Sequence, residues 1–351
     1  MLKITGIYIM NKEIEINPCE LQILWNILGD ELTVRYPIYA FNILTARQVE
    51  DGFKLKFTCR KENFEEERMK FDENVKDEVP VYNDFRDCLL GSGVLPYTNL
   101  KELREKIIRR KKSFKKTYYC LDTNLLYTRF ITCSALIKPS DVILVDISKD
   151  EIEAKLNRKY NSRGNDEIKL LKDQSKYQKH LFEELRNKKI KQSRKASYMA
   201  KREFVDLIKG MSRVLESGEK STMDTSKNDM VIIQTLKKFE KENQVATVFL
   251  TSDDAIIDLC DTENIESFKL NTPHQMKISS CTFQQFIDLI FNLSVLWGFI
   301  KIKSVIVFGE FRVKTAHNPE MLKLQFLDEN LYNEFVKDLE TCRELMKIQM
   351  A

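Results

Sequence analysis

Three short apolar runs, each followed at once by polar or acidic residues, constrain this chain more than any other feature. Tyr118-Tyr119-Cys120-Leu121 leads into Asp122, Val142–Ile147 into Ser148-Lys149-Asp150-Glu151, and Ala246-Thr247-Val248-Phe249-Leu250 into Thr251-Ser252-Asp253-Asp254. Runs rich in β-branched and aromatic residues fit strands buried on both faces, and the helical patterns between them predict a parallel sheet covered by helices. The fold class expected for the middle of the chain is therefore α/β. Ligands of such sheets sit beyond the carboxyl ends of the strands, where Asp122 and Asp253 fall.

A length of 351 residues exceeds one ordinary core, so several domains are expected. Residues 1–100 mix strand-like runs (Leu2–Met10, Phe53–Thr58) with a helical pattern over Cys19–Leu28 and read as a small N-terminal α+β domain. Glu62–Glu78, dense in both charge signs, reads as a solvated segment. Gly91, Gly93 and Pro96 break the chain, and residues 101–116, rich in Lys and Arg, read as a basic linker. The α/β domain is expected over 117–280, interrupted by a helical arm from about Glu167 to Leu215.

Residues 281–351 read as a separate C-terminal α+β unit, with strands at Val305–Phe311 and Leu322–Phe326. Its apolar stretch Phe283–Ile300 contains Gln284, Gln285, Asp288, Asn292 and Ser294, which predicts a buried helix and no membrane span. Trp297 is expected in the core or in a homo-oligomer contact. The N-terminal run lacks the features of a secretion signal, so a cytoplasmic protein is expected. Eight cysteines with no CxxC pair read as buried thiols, not zinc ligands. His180, His274 and His317 are scattered and suggest no catalytic triad.

The acids carry the chemistry. Besides Asp122 and Asp253, Asp229 opens the apolar-periodic stretch Asp229–Leu236, and Glu153 or Glu151 lies in the helix after the second strand. Asp229 alone is explained as well by the preference of a helix N-terminus for a carboxylate. Clustered carboxylates repel and resist joint ionisation, and a bound cation relieves that conflict. Magnesium, held by few carboxylates and several waters, suits such a ring, and manganese can replace it. An ion of this kind activates water for in-line attack on a phosphodiester.

In order and strand context, Leu121-Asp122-Thr123-Asn124, Asn228-Asp229-Met230-Val231-Ile232 and Leu250-Thr251-Ser252-Asp253 together resemble the PIN-domain nuclease family over roughly residues 117 to 270. The resemblance implies a PIN-like parallel sheet and metal-binding, catalytic acids at Asp122, Asp229, Asp253 and Glu153, with Glu151 as substitute. Thr123, Asn124, Thr251 and Asp254 would support them. It implies a metal-dependent endonuclease, more often acting on RNA than DNA. The alternative is a catalytically inactive PIN scaffold that binds RNA or protein. An unrelated α/β protein that binds a nucleotide or receives a phosphoryl group at its strand-end acids is a third reading. The absence of a GxxxxGK[ST] loop counts against an ATPase.

The partner expected is single-stranded RNA. A formal net charge of +4 is too mild to argue for it, but charge distribution does. Arg186, Lys188, Lys189, Lys191, Arg194, Lys195, Lys201 and Arg202 form an acid-free run within the helical arm. Such a run is expected to hold a phosphate backbone, with Tyr198 available for stacking.

Overall fold

Strands from both ends of the chain pair in one antiparallel sheet in the computed structural model, which describes residues 12–73, 75–160, 166, 169, 179–185, 188–222, 224–310 and 320–350. Numbered along the chain, its strands are β1 (Lys12–Ile16), β2 (Glu31–Arg35), β3 (Asn42–Val49), β4 (Gly52–Phe57), β10 (Ser280–Cys281), β11 (Phe299–Ile302), β12 (Val305–Phe308) and β13 (Leu322–Phe326). Their spatial order is β1-β13-β12-β11-β2-β3-β4-β10. β1 lies against β13 from Lys12↔Phe326 to Ile16↔Leu322.

The chain is α/β and divides into two compact units, one of Met1–Tyr82, Tyr160–Lys188 and Ser279–Ala351, the other of Asn83–Lys159 and Lys189–Ile278. The expected separate N-terminal domain and C-terminal unit are thus corrected to one unit. Pairing between strands some three hundred residues apart (β1 at Lys12–Ile16, β13 at Leu322–Phe326) leaves no local trace in the sequence.

Within the first unit the helix Phe283–Trp297 is buried along most of its length, as its composition predicts. Trp297 packs edge-on to Tyr36 with centroids 5.7 Å apart and is fully buried, so it is core and offers no oligomer contact. The charge-dense stretch 62–78 is not merely solvated. It contains the helix Lys61–Arg68, and Phe64, Phe71, Val75 and Val79 are buried. The run Leu2–Met10, and the end of Val305–Phe311 beyond Glu310, lie outside the described residues.

The second unit contains the parallel sheet. Its strands are β5 (Thr117–Leu121), β6 (Val142–Val145), β7 (Arg213–Leu215), β8 (Ala246–Thr251) and β9 (Glu266–Lys269), in the order β7-β6-β5-β8-β9. Chain order reverses between β5 and β8. Crevices form where neighbouring strands send their connections to opposite sides, which makes the carboxyl end of this pair the natural ligand site. The helix Thr225–Asn243 lays Ile232, Ile233 and Leu236 on the sheet, against Cys120, Ile143 and Phe249. Among the described residues no helix is long and apolar enough to cross a membrane.

Two expectations about this unit change. The basic stretch 101–116 is no linker: most of it is the helix Leu100–Lys111, with Leu103 and Ile107 buried. Lys106 Nζ donates to the Ser267 carbonyl at 3.0 Å and pairs with Glu266 at 2.8 Å. The helical arm is also no single element. Lys179–Leu185 belongs to the first unit, Lys191–Lys195 and Lys201–Lys209 belong to the second, and the arm's last residues are strand β7.

Gly52 tests how β4 meets β10. Its φ is +148°, and a Cβ there would run into the Cys281 carbonyl oxygen. Gly52→Ala should destabilise the first unit by about 1–3 kcal/mol through overpacking, read as a lowered denaturation midpoint. An unchanged midpoint would mean that the β4–β10 pairing yields easily.

Candidate functional site

Asp122 ends β5 and caps the short helix Thr123–Tyr127. It is almost fully buried. Its Oδ1 accepts from the Asn124 backbone N–H at 3.3 Å, and its Oδ2 accepts from Asn124 Nδ2 at 3.3 Å and from Thr251 Oγ1 at 2.9 Å. Burial pushes this carboxyl up from its ordinary pKa, Asp253 adds to the rise, and the Thr251 and Asn124 bonds oppose it.

Thr251 links the two strand ends. Besides donating to Asp122, its Oγ1 accepts from the Asp253 backbone N–H at 2.9 Å. Asp253 is exposed and caps the helix Asp254–Glu263, accepting from the Ala255 N–H at 3.0 Å. Asp254 turns away, is exposed, and pairs with Lys269. It gives the other acids no support.

Asp229 does not open its helix. The helix begins at Thr225, and Asp224 caps it, accepting from the Ser226 N–H at 3.2 Å. The helix-start explanation for Asp229 therefore fails, because it lies a full turn inside. Among the described residues no hydrogen bond or ion pair reaches its half-buried carboxylate. Burial, then Asp122, Glu151 and Asp253, push it up to about 7.

The fourth acid is Glu151, not Glu153. Glu151 Oε2 accepts from Thr123 Oγ1 at 2.7 Å, and its Oε1 accepts from Asn228 Nδ2 at 2.6 Å. Glu153 is exposed and stands 3.8 Å from Lys149. Two residues correspond to about 200° around a helix, so both cannot face one site. The signal was available: Ser148, Ile152 and Leu156 are the buried face of the helix Asp146–Leu156, and Glu151 borders it.

Three positioning residues had no role in the sequence reading. Asn228, buried, holds Glu151, accepts from the Thr222 backbone N–H at 2.9 Å through Oδ1 and donates to the Thr222 carbonyl at 3.0 Å through Nδ2. Ser148 Oγ lies 3.2 Å from Thr123 Oγ1. Asp146 accepts from the Ser217 N–H at 3.1 Å with both oxygens, which ties down the loop before Asn228. Only the polar residue just ahead of Asp229 hinted at this.

Asp122, Glu151, Asp229 and Asp253 are thus electrostatic neighbours. No Lys or Arg forms an ion pair with any of them among the described residues. An all-carboxylate donor set suits a hard divalent cation. Yet no group of three or more His, Cys, Asp or Glu is drawn close enough to enclose one, again among the described residues. The donor chemistry fits an open, hydrated ion held by one or two carboxylates, and not a closed cage.

The basic run fares differently. Lys191 pairs with Asp84 at 2.9 Å and Lys195 with Asp87 at 2.6 Å. Arg194, fully buried, donates to the Lys189 carbonyl at 2.9 Å, and Lys189 Nζ donates to Ser197 at 2.6 Å. Lys189 also lies over the Tyr198 ring, and Lys188 is buried. These cations serve the protein's own packing, which corrects the reading of a solvated phosphate-binding face. Arg202 is half-buried and Lys201 is exposed, while Arg186 lies outside the described residues.

No protein-family model, no curated protein and no solved structure matches the chain.

The raised Asp229 carboxyl sets a pH dependence. It binds its proton more tightly folded than unfolded, so its contribution to stability falls as pH rises from about 4 to about 7. In EDTA, Asp229→Asn should raise the melting temperature near about pH 8 and leave it unchanged near about pH 4. Equal shifts at both pH values would show that Asp229 is not under charge strain.

Proposed function

We propose that the second unit is a divalent-cation-dependent endonuclease of the PIN type, cutting single-stranded nucleic acid, RNA in preference to DNA. The observation that carries this reading is the set of four carboxylates, Asp122, Glu151, Asp229 and Asp253, gathered beside the reversal of strand order with no ion pair to a Lys or Arg among the described residues. Strain of that kind is stored where function uses it.

The residues would act as follows. Asp122, pinned by Thr251 and Asn124, and Asp229, which has no hydrogen bond among the described residues, would hold magnesium or manganese. Glu151 is oriented by Thr123 and Asn228, so its carboxylate has little freedom to turn. Asp253, the most exposed of the set, would meet substrate-side water. When bound, the ion supplies Lewis acidity and a lowered pKa for water. Asp229 at about 7 releases its proton readily at neutral pH, where a ligand carboxylate has to be ionised.

Labelled single-stranded RNA and DNA, incubated with magnesium, manganese or EDTA, test the reading. Metal-dependent cleavage abolished by Asp122→Asn is expected, with RNA cut faster. Asn228→Ala should weaken metal dependence roughly 10–100-fold, as loss of a residue that orients a ligand does, whereas Glu153→Gln should cleave like the parent. Binding without cleavage in any metal would instead identify a catalytically inactive scaffold.

A further inference from the structure

The opposite end of the same parallel sheet carries a cleft of the reverse charge. It has a volume of about 190 Å3 and lies where the end of the helix Leu100–Lys111, the loop before β5 and the loop before β6 meet. Arg110, Lys111, Lys115, Lys116 and Lys138 line it, and Asp141 is its one acid. Arg110 is engaged by Glu266. Among the described residues Lys111, Lys115, Lys116 and Lys138 form no ion pair, and Lys111, Lys115, Lys116 and Lys138 are all exposed. This is the reverse of the Lys191–Lys195 segment, whose cations are consumed internally.

Two further observations point to a ligand. Thr117 lines the cleft, and its buried hydroxyl has no hydrogen-bond partner among the described residues. Buried polar atoms are rarely left so, and a phosphate oxygen in the cleft would supply an acceptor once the side chain turned toward it. Phe114, between the lining residues Ser113 and Lys115, is fully exposed, so both faces of its ring are open to a partner.

We propose that this cleft binds the backbone phosphates of a single-stranded nucleic acid, with a base stacked on Phe114. Cations that track the backbone and an aromatic that takes a base are the two components of sequence-tolerant single-strand binding. Tyr119 lines the cleft two residues beyond Thr117. Burial and Asp141 push its phenol up to about 12. β5 connects this cleft to Asp122, and a five-residue strand spans roughly 17 Å. A strand held here would be anchored away from the carboxylates. The inference does not depend on those acids being catalytic.

The test is fluorescence anisotropy of short labelled single-stranded RNA and DNA in EDTA, with Asp229→Asn as the background so that no cleavage intervenes. Lys115→Ala/Lys116→Ala should weaken binding at least tenfold and reduce the salt slope by about 1.4, at about 0.7 per phosphate contact. Phe114→Ala should weaken it about five- to a hundredfold with the slope unchanged. Unaltered thermal melts would show that both variants fold. Affinity unchanged in both variants, or no binding at all, overturns the proposal. So does equal competition by inorganic phosphate or a mononucleotide, which would mark a small-anion site. Loss of binding to phosphatidylserine vesicles alone would assign the surface to a membrane instead.

Discussion

The in-register parallel pairing of β5 with β8, Thr117↔Ala246 through Leu121↔Leu250, is the contact on which the acidic site depends. It brings together two chain segments more than a hundred residues apart and ends both at the same edge. The Asp122 backbone N–H closes the ladder on the Leu250 carbonyl at 2.9 Å. Thr251 then donates its hydroxyl proton to Asp122 and accepts from the Asp253 backbone N–H. A one-residue slip would turn every side chain of the slipped strand to the other face and separate the two acids.

Given that frame, the acids divide by how they are solvated. Asp122 and Asp253 each cap a helix, accepting from the backbone N–H of Asn124 and of Ala255. Glu151 accepts from a threonine and an asparagine. Asp229 sits beyond the first turn of its helix, with no donor among the described residues, and burial and its three acidic neighbours push it up to about 7. That asymmetry separates the site from a set of surface acids. Charge alone would not: the Lys191 and Lys195 ammonium groups, equally conspicuous in sequence, are neutralised by Asp84 and Asp87 one helix away.

The sheet also separates its charges by end. Carboxylates gather beyond the carboxyl ends of β5 and β8, and lysines that form no ion pair among the described residues gather around the start of β5. A parallel sheet makes such separation easy, because every strand starts at one edge and finishes at the other.

What the sequence determined by itself was local: apolar runs that had to be strands, Asp122 and Asp253 at their ends, Ile232, Ile233 and Leu236 as a packing face, and Phe283–Trp297 as a buried helix. Each follows from periodicity over a few residues, which short-range sterics and burial enforce. The tertiary structure alone decided the rest. It paired β1 with β13, made β7 a strand at the end of the expected arm, and buried Leu103 and Ile107 of the basic stretch. It chose Glu151 over Glu153 by the phase of a helix against Thr123, and it gave the cap of the Thr225–Asn243 helix to Asp224. Those outcomes depend on partners distant in the chain, and a residue's own neighbours carry no record of which distant group will meet it.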